Sequence, residues 1–284
     1  MTGELEERIM PRFMYGTAWK EDETTRLTRL ALECGFRAID TANQRKHYYE
    51  AGVGEAVGGA IDDGLVERDE LFLQTKFTYV AGQDHRLPYD ADAPFSHQVE
   101  QSFNKSLEHL GVAFIDSYIL HGPSRRMGLG KADREVWRAM EKLLEEGNVG
   151  AIGVSNVTAD QLRQFVDIAE APVAFVQNRC FARAGWDREV RQICDANDIT
   201  YQGFSLLTAN VRELQSEAIS EVADRHERTI AQVVFRFAVQ VGILPLTGTT
   251  SEQHMREDLA CSEFDLEDEE LELIESIAGI PDTF

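Results

Sequence analysis

Four short apolar runs end on residues able to handle protons or hydrogen bonds. They are Ile39-Asp40-Thr41-Ala42, Gln74-Thr75-Lys76, Tyr118 to Pro123 with His121, and Gly153-Val154-Ser155-Asn156. A carboxylate, an ammonium and an imidazole held together make a proton-transfer site, because each charge moves the pKa of its neighbours. Taken singly, each has an ordinary structural explanation: Asp caps a turn, Lys is a solvated charge, and His in an apolar run is a satisfied core residue. Their shared position is what matters. In a barrel of parallel strands all carboxyl ends open on one mouth, so Asp40, Lys76 and His121 would meet there.

The elements that must position them follow from periodicity. Strands are expected at Phe13 to Gly16, Arg37 to Asp40, Leu71 to Lys76, Ile115 to His121, Ala151 to Val154, Ala174 to Gln177, Thr200 to Phe204 and Gly242 to Leu246. Helices are expected at Thr24 to Cys34, Tyr49 to Asp62, His97 to Leu110, Asp133 to Glu146, Ala159 to Ile168, Asp187 to Asn197, Glu213 to His226 and Ile230 to Gln240, with a last acidic one at Glu267 to Ile277. Gly35, Gly111 and Gly147 stand where left-handed helix ends are wanted. Eight strands alternating with helices predict a (β/α)8 TIM barrel in a single domain spanning residues 1–284, with a doubly wound open sheet as the rival.

Composition narrows the partners. The chain has 284 residues, 43% hydrophobic content and a net charge of −22, which disfavours nucleic acid and anionic membrane surfaces. That acidity reads as ordinary solubility or as adaptation to a saline cytoplasm. No apolar run approaches the roughly 20 residues of a membrane span. Met1 to Glu7 is acidic, unlike a secretory leader. A cytoplasmic protein is expected, a monomer or weak homo-oligomer. Cys34, Cys180, Cys194 and Cys261 show no C-x-x-C pairing and read as reduced structural thiols. His85, His97, His109, His226 and His254 form no metal-ligand spacing, so no metal is expected.

A Rossmann-type dinucleotide site would need a glycine-rich turn after the first strand, and no G-x-G-x-x-G occurs. Gly52-Val53-Gly54 and Gly58-Gly59 lie inside a predicted helix and read as close-packing positions. Other segments carry a family resemblance: Gly16 to Lys20, Gly35 to Ala42, Glu50 with Val53-Gly54, Leu73 to Lys76, Leu120 to Pro123, Trp137 with Leu143 and Gly147, and Gly150 to Asn156. Ala231-Gln232 with Arg236, and Gly242 to Pro245, extend it into the last quarter. In order and spacing the chain resembles the aldo-keto reductases almost from end to end.

The resemblance implies the eight-stranded barrel and reduction of an aldehyde or ketone by hydride transfer from NAD(P)H. Hydride addition to a carbonyl makes an alkoxide that must be stabilised and protonated as it forms. In the family a tyrosine phenol does this. Its ordinary pKa is about 10, so a neighbouring ammonium is needed to favour the anion. By resemblance Lys76 is that ammonium, Asp40 holds it, and His121 donates a hydrogen bond to the substrate carbonyl. The tyrosine departs from the pattern. Asp40 and Glu50 are ten apart, two residues more than usual, so the family spacing points to Arg45 from one side and His47 from the other. The nearest phenols are Tyr48 and Tyr49; Tyr48 is the expected acid, since Tyr49 is expected to begin the following helix.

By the same resemblance Ser155, Asn156 and Gln177 bind the nicotinamide carboxamide, Phe204 stacks on its ring, and Ser205 and Leu207 lie beside the pyrophosphate. Thr247, Gly248, Thr249, His254 and Asp258 serve the phosphate and adenosine end, with Glu257 facing the adenine. NADPH is expected from family habit, although the usual lysine of the last strand is missing and NAD remains an alternative. Trp19, Tyr49 and Phe77 are expected to line the substrate pocket. Gly122 replaces a family tryptophan, and the chain ends at Phe284 soon after its last predicted helix, so the mouth is expected to be open to a range of carbonyl compounds. Arg125 and Arg126 would draw acidic substrates or serve as solvated loop charges. A nicotinamide-binding redox sensor of the same fold is the alternative function, and a barrel lyase or isomerase a distant third.

Overall fold

A computed structural model describes residues 11–279; Met1 to Glu7 and the terminal Phe284 lie outside them. Eight parallel strands close into a barrel in chain order, each paired with its sequence neighbours and β8 with β1. They are β1 Met14–Gly16, β2 Ala38–Asp40, β3 Phe72–Phe77, β4 Ile115–Leu120, β5 Val149–Ser155, β6 Phe175–Arg179, β7 Thr200–Phe204 and β8 Ile243–Thr247. The helices are α1 Thr24–Cys34, α2 Glu50–Asp62, α3 Phe95–Leu110, α4 Lys131–Glu145, α5 Ala159–Ile168, α6 Arg188–Asp195, α7 Glu217–Arg225, α8 Ile230–Gln240, α9 Glu252–Leu259 and α10 Asp268–Glu275. The (β/α)8 barrel replaces the open-sheet rival. No described helix is long and apolar enough to cross a membrane.

Local signals account for most boundaries. Gly35 and Gly111 end α1 and α3 with φ of 111° and 67°, values that glycine adopts without a Cβ penalty. Thr158 and Thr229 open α5 and α8 through Thr-x-x-Gln capping boxes, each hydroxyl accepting from the glutamine backbone N–H three residues on, at 3.2 Å. The helix expected from Glu213 begins instead at Glu217, because Ser216 is extended and interrupts it. Helix α9 was not expected at all. Its sequence is almost wholly polar, with Met255 its one fully buried apolar side chain, so no apolar stripe announces it.

Alternation along the strands builds the barrel interior in layers. On β3, Phe72, Gln74 and Lys76 face inward in turn. Phe72 joins Met14, Ala38, Ile119, Phe175, Leu244 and Leu246 in an apolar floor separate from the larger core between barrel and helices. Gln74 and Lys76 rise above that floor into a polar layer with Asp40, Gln177 and Gln202. The floor keeps water from below, and the polar layer faces the carboxyl-end mouth.

Helices α2 and α3 cross at Gly54, where a Cβ would stand 2.0 Å from the His109 carbonyl oxygen. Backbone cannot yield as a side chain does, so Gly54→Ala is expected to cost about 1–3 kcal/mol, seen as a lower urea midpoint. An unchanged midpoint would show the crossing to be looser than this.

Candidate active site

The floor of the site is the Asp40–Lys76 pair. Both side chains are buried, and Lys76 Nζ donates to Asp40 Oδ1 and Oδ2 at 2.6 and 2.7 Å and to the Thr41 carbonyl at 2.8 Å. Register explains the meeting: Asp40 is level with Gln74, one inward position below Lys76. Burial lowers the Lys76 pKa, and the adjacent Asp40 charge opposes that shift.

Tyr48 stands over this pair, its ring centre 5.3 Å from Lys76 Nζ and 5.8 Å from the His121 ring, edge to face. The loop from Asn43 makes this possible. It makes a single helical turn, closed by the Tyr48 N–H donating to the Gln44 carbonyl at 3.0 Å. Burial and the Asp40 charge both push the Tyr48 phenol above its ordinary pKa, so it is protonated at neutral pH.

Burial, with Lys76 and His47 nearby, pulls His121 down to about 3, so its imidazole is neutral. His121 Nδ1 lies 2.7 Å from the Thr78 hydroxyl. The tautomer sets which of the two donates; with the hydroxyl as donor to Nδ1, the ring proton sits on Nε2.

A cavity of about 900 Å3 opens above these groups. It is lined by Trp19, Asp40, Tyr48, His121, Ser155, Asn156, Gln177, Phe204, Ser205, Leu207, Thr247, Gly248, Thr249, His254, Glu257 and Asp258, and Lys76 lies buried beneath it. Three of these residues, Trp19, Asn156 and Ser205, hold positive φ of 63°, 54° and 58°. For Trp and Ser that backbone is strained, and such strain collects where a loop is shaped for a ligand.

Two expected pocket residues do not line the cavity. Phe77 is fully buried against Tyr79 and Tyr89 in the outer core, because strand alternation turns it outward when Lys76 faces in. Tyr49 caps the start of α2, stacked under the Arg45 guanidinium at 4.6 Å. Arg125 and Arg126 are exposed and also outside the lining.

Sequence reasoning gave no site role to Lys20, His47 or Arg179, which do line the cavity. Lys20 is buried, donates to the Gly248 carbonyl, and has no carboxylate partner among the described residues; burial pulls it down to about 8. A buried cation without an acid is a ready place for an anion. Its only sequence signal was its place in the Gly16 to Lys20 motif. His47 stacks on the exposed Trp19 ring at 3.9 Å, and Arg179 is inward by the strand period two residues beyond Gln177.

At the other end Thr247 donates to Asp258 at 2.8 Å, and burial pushes the Asp258 carboxyl up to about 6. Ser251 caps α9 by accepting from the His254 N–H at 3.4 Å. No group of three or more His, Cys, Asp or Glu side chains suited to a metal occurs among the described residues.

The sequence profile described as "Aldo/keto reductase family" matches residues 13–278 of this chain. The chain belongs to the aldo-keto reductase family. It is 28% identical over 270 residues to the glyoxal reductase of Bacillus subtilis, covering 94% of this chain and 89% of that protein. It is 30% identical over 273 residues to an aldo-keto reductase of Mycobacterium avium, covering 96% and 87%. The crystal structure of MGS-M4, an aldo-keto reductase from a Medee basin deep-sea metagenome library, aligns with a TM-score of 0.81 at 26% identity, covering 97% of this chain and 94% of that one. Family membership makes this chain an oxidoreductase with the barrel and the carbonyl chemistry of the family in general terms.

Proposed function

We propose that this enzyme reduces small aldehydes and ketones with a nicotinamide cofactor, Tyr48 giving the proton. The observation that carries the reading is the Lys76–Asp40 pair, buried directly below Tyr48 and beside a neutral His121 at the base of one cavity.

The cavity residues suit a dinucleotide. Lys20 offers an unpaired buried cation to a pyrophosphate, and the Phe204 ring a face for a flat ring. When bound, the reduced nicotinamide supplies the hydride. His121 Nε2–H donates to the substrate carbonyl oxygen and orients it. Tyr48 passes its phenolic proton to that oxygen as negative charge grows there. Lys76 stabilises the phenolate left behind, and Asp40 keeps the lysine charged and fixed. Trp19 and His47 form an aromatic wall at an open mouth, which suits varied small carbonyl compounds rather than one.

Charge bears on the choice between NADH and NADPH. Among the described residues Lys20 and Arg179 are the only Lys or Arg side chains in the lining, and neither lies on α9, which contributes His254, Glu257 and Asp258. A 2′-phosphate beside those acids is disfavoured, so the NADPH habit of the family is not expected to hold strongly, and NADH is expected to serve at least as well. Two pH trends follow. Affinity for either cofactor should fall as pH rises past about 8, where Lys20 loses its charge. Preference for NADPH should grow as pH falls through about 6, where Asp258 becomes neutral. Fluorescence titration of both cofactors across that span measures both; a ratio independent of pH would remove Asp258 from the argument.

The function itself is tested by NADH and NADPH oxidation with a panel of aldehydes, ketones and dicarbonyl compounds. Turnover on several is expected. Tight cofactor binding with no turnover on any would instead identify a nicotinamide-sensing protein of the same fold.

A further inference from the structure

The polar layer beneath the cavity contains three buried glutamines, Gln74 on β3, Gln177 on β6 and Gln202 on β7. Gln74 Nε2 donates to Asp40 Oδ1 at 2.7 Å and to Gln202 Oε1 at 2.8 Å. Gln177 Nε2 donates to the same two oxygens at 3.0 and 2.9 Å. Gln202 Nε2 donates to Gln74 Oε1 at 2.9 Å.

The amide orientations are dictated by chemistry. An ionised carboxylate only accepts, so both amides that meet Asp40 must turn their NH2 groups to it. Each NH2 has two hydrogens, and Gln202 Oε1 takes the second from both. Gln202 cannot flip without losing its own bond to Gln74 and facing two donors with a third. Gln177 is thus left with one unspent polar atom, Oε1, on a residue that lines the cavity. Its neighbour Asn156 is in the same condition: its Nδ2 donates to the His121 carbonyl at 2.8 Å and to Ser155 Oγ at 3.0 Å, leaving Oδ1. Ser155 Oγ donates its only proton to the Gln177 carbonyl at 2.6 Å. The Gln177, Asn156 and Ser155 side chains thus spend their N–H and O–H groups within the protein and leave acceptors.

We infer that Gln202 is a positioning residue: by holding Gln177 with its oxygen free, it makes the site select a ligand that presents an N–H donor there, as a carboxamide NH2 does. The inference rests on the reading that a nicotinamide cofactor occupies the cavity. It assigns a role to a side chain that touches neither cofactor nor substrate.

The test compares the binding of NADH with that of its reduced 3-acetylpyridine analogue, which carries a methyl group where the carboxamide carries NH2. Affinities are read by protein fluorescence, without turnover. The unaltered protein is expected to favour NADH about tenfold, the cost of leaving a buried acceptor unmet. In Gln202→Met, where the Gln177 amide has lost one of its two anchors and can swing, the preference should shrink to about threefold or less. Gln202→Thr removes the same acceptor in a smaller side chain and serves if the first variant does not fold. Phe72→Leu loosens the apolar floor below without touching the amides, and it should keep the tenfold preference. A full preference in both Gln202 variants, or an equal loss in Phe72→Leu, overturns the positioning role. A protein that binds both cofactors equally well overturns the donor selection yet leaves the reductase reading standing. Failure to bind either one removes that reading itself.

Discussion

Tyr48→Phe is expected to lower kcat/KM for carbonyl reduction by about three orders of magnitude, the scale of a lost general acid, while Tyr49→Phe changes it by less than about twofold. The two phenols are adjacent in sequence and opposite in setting. Tyr48 has its ring beside both Lys76 and His121 in the cavity, whereas Tyr49 caps α2 under Arg45 outside it. Removing one oxygen leaves the Tyr48 ring and its packing in place, so cofactor affinity should hold within about twofold. The loss therefore belongs to kcat, which separates a missing proton donor from a damaged pocket. Steady-state kinetics with one reactive aldehyde decides it: a Tyr48→Phe enzyme keeping a tenth of the rate would end the assignment.

Lys76→Met is expected to fail in two ways at once. Turnover should fall by a similar factor of about a thousand, because the phenolate is left without its ammonium. Stability should fall by about 3 kcal/mol, because Asp40 remains buried with its counterion gone. The Gln74 and Gln177 amides still donate to Asp40 Oδ1, which keeps the cost at the lower end for a broken buried pair. Asp40→Asn added to Lys76→Met removes the stranded charge. The double variant should regain most of the urea midpoint and none of the turnover. If stability does not recover, the loss in the single variant lies in packing and not in the uncompensated carboxylate.

Much of this enzyme was legible before any fold was known. Short apolar runs ending on Asp40, Lys76 and His121 mark strand ends, and the barrel's convergence of carboxyl termini turns scattered positions into neighbours. Gly35 and Gly111 mark helix ends through backbone freedom, which a sequence states directly, whereas the Thr158 and Thr229 caps came to light only in the structure. Helix α9 is held by its cap and by the surface it lies on, so its polar sequence carried no apolar stripe. Phe77 was expected in the pocket, whereas strand alternation sends it to the face opposite Lys76.

The sequence alone determined the class of fold and the acid, amine and imidazole of the site, because these follow from residue type and from a period set by backbone geometry. Only the tertiary structure showed the Tyr48 ring beside Lys76 and His121 in the cavity and Tyr49 outside it, where Arg45 covers its ring. Only it joined Gln74, Gln177 and Gln202 into one layer around Asp40, since amides from three distant strands meet only when the sheet closes on itself. Contacts across a closed barrel depend on which strands, far apart in the chain, become neighbours when the sheet closes, and a pattern within one strand does not name its partners.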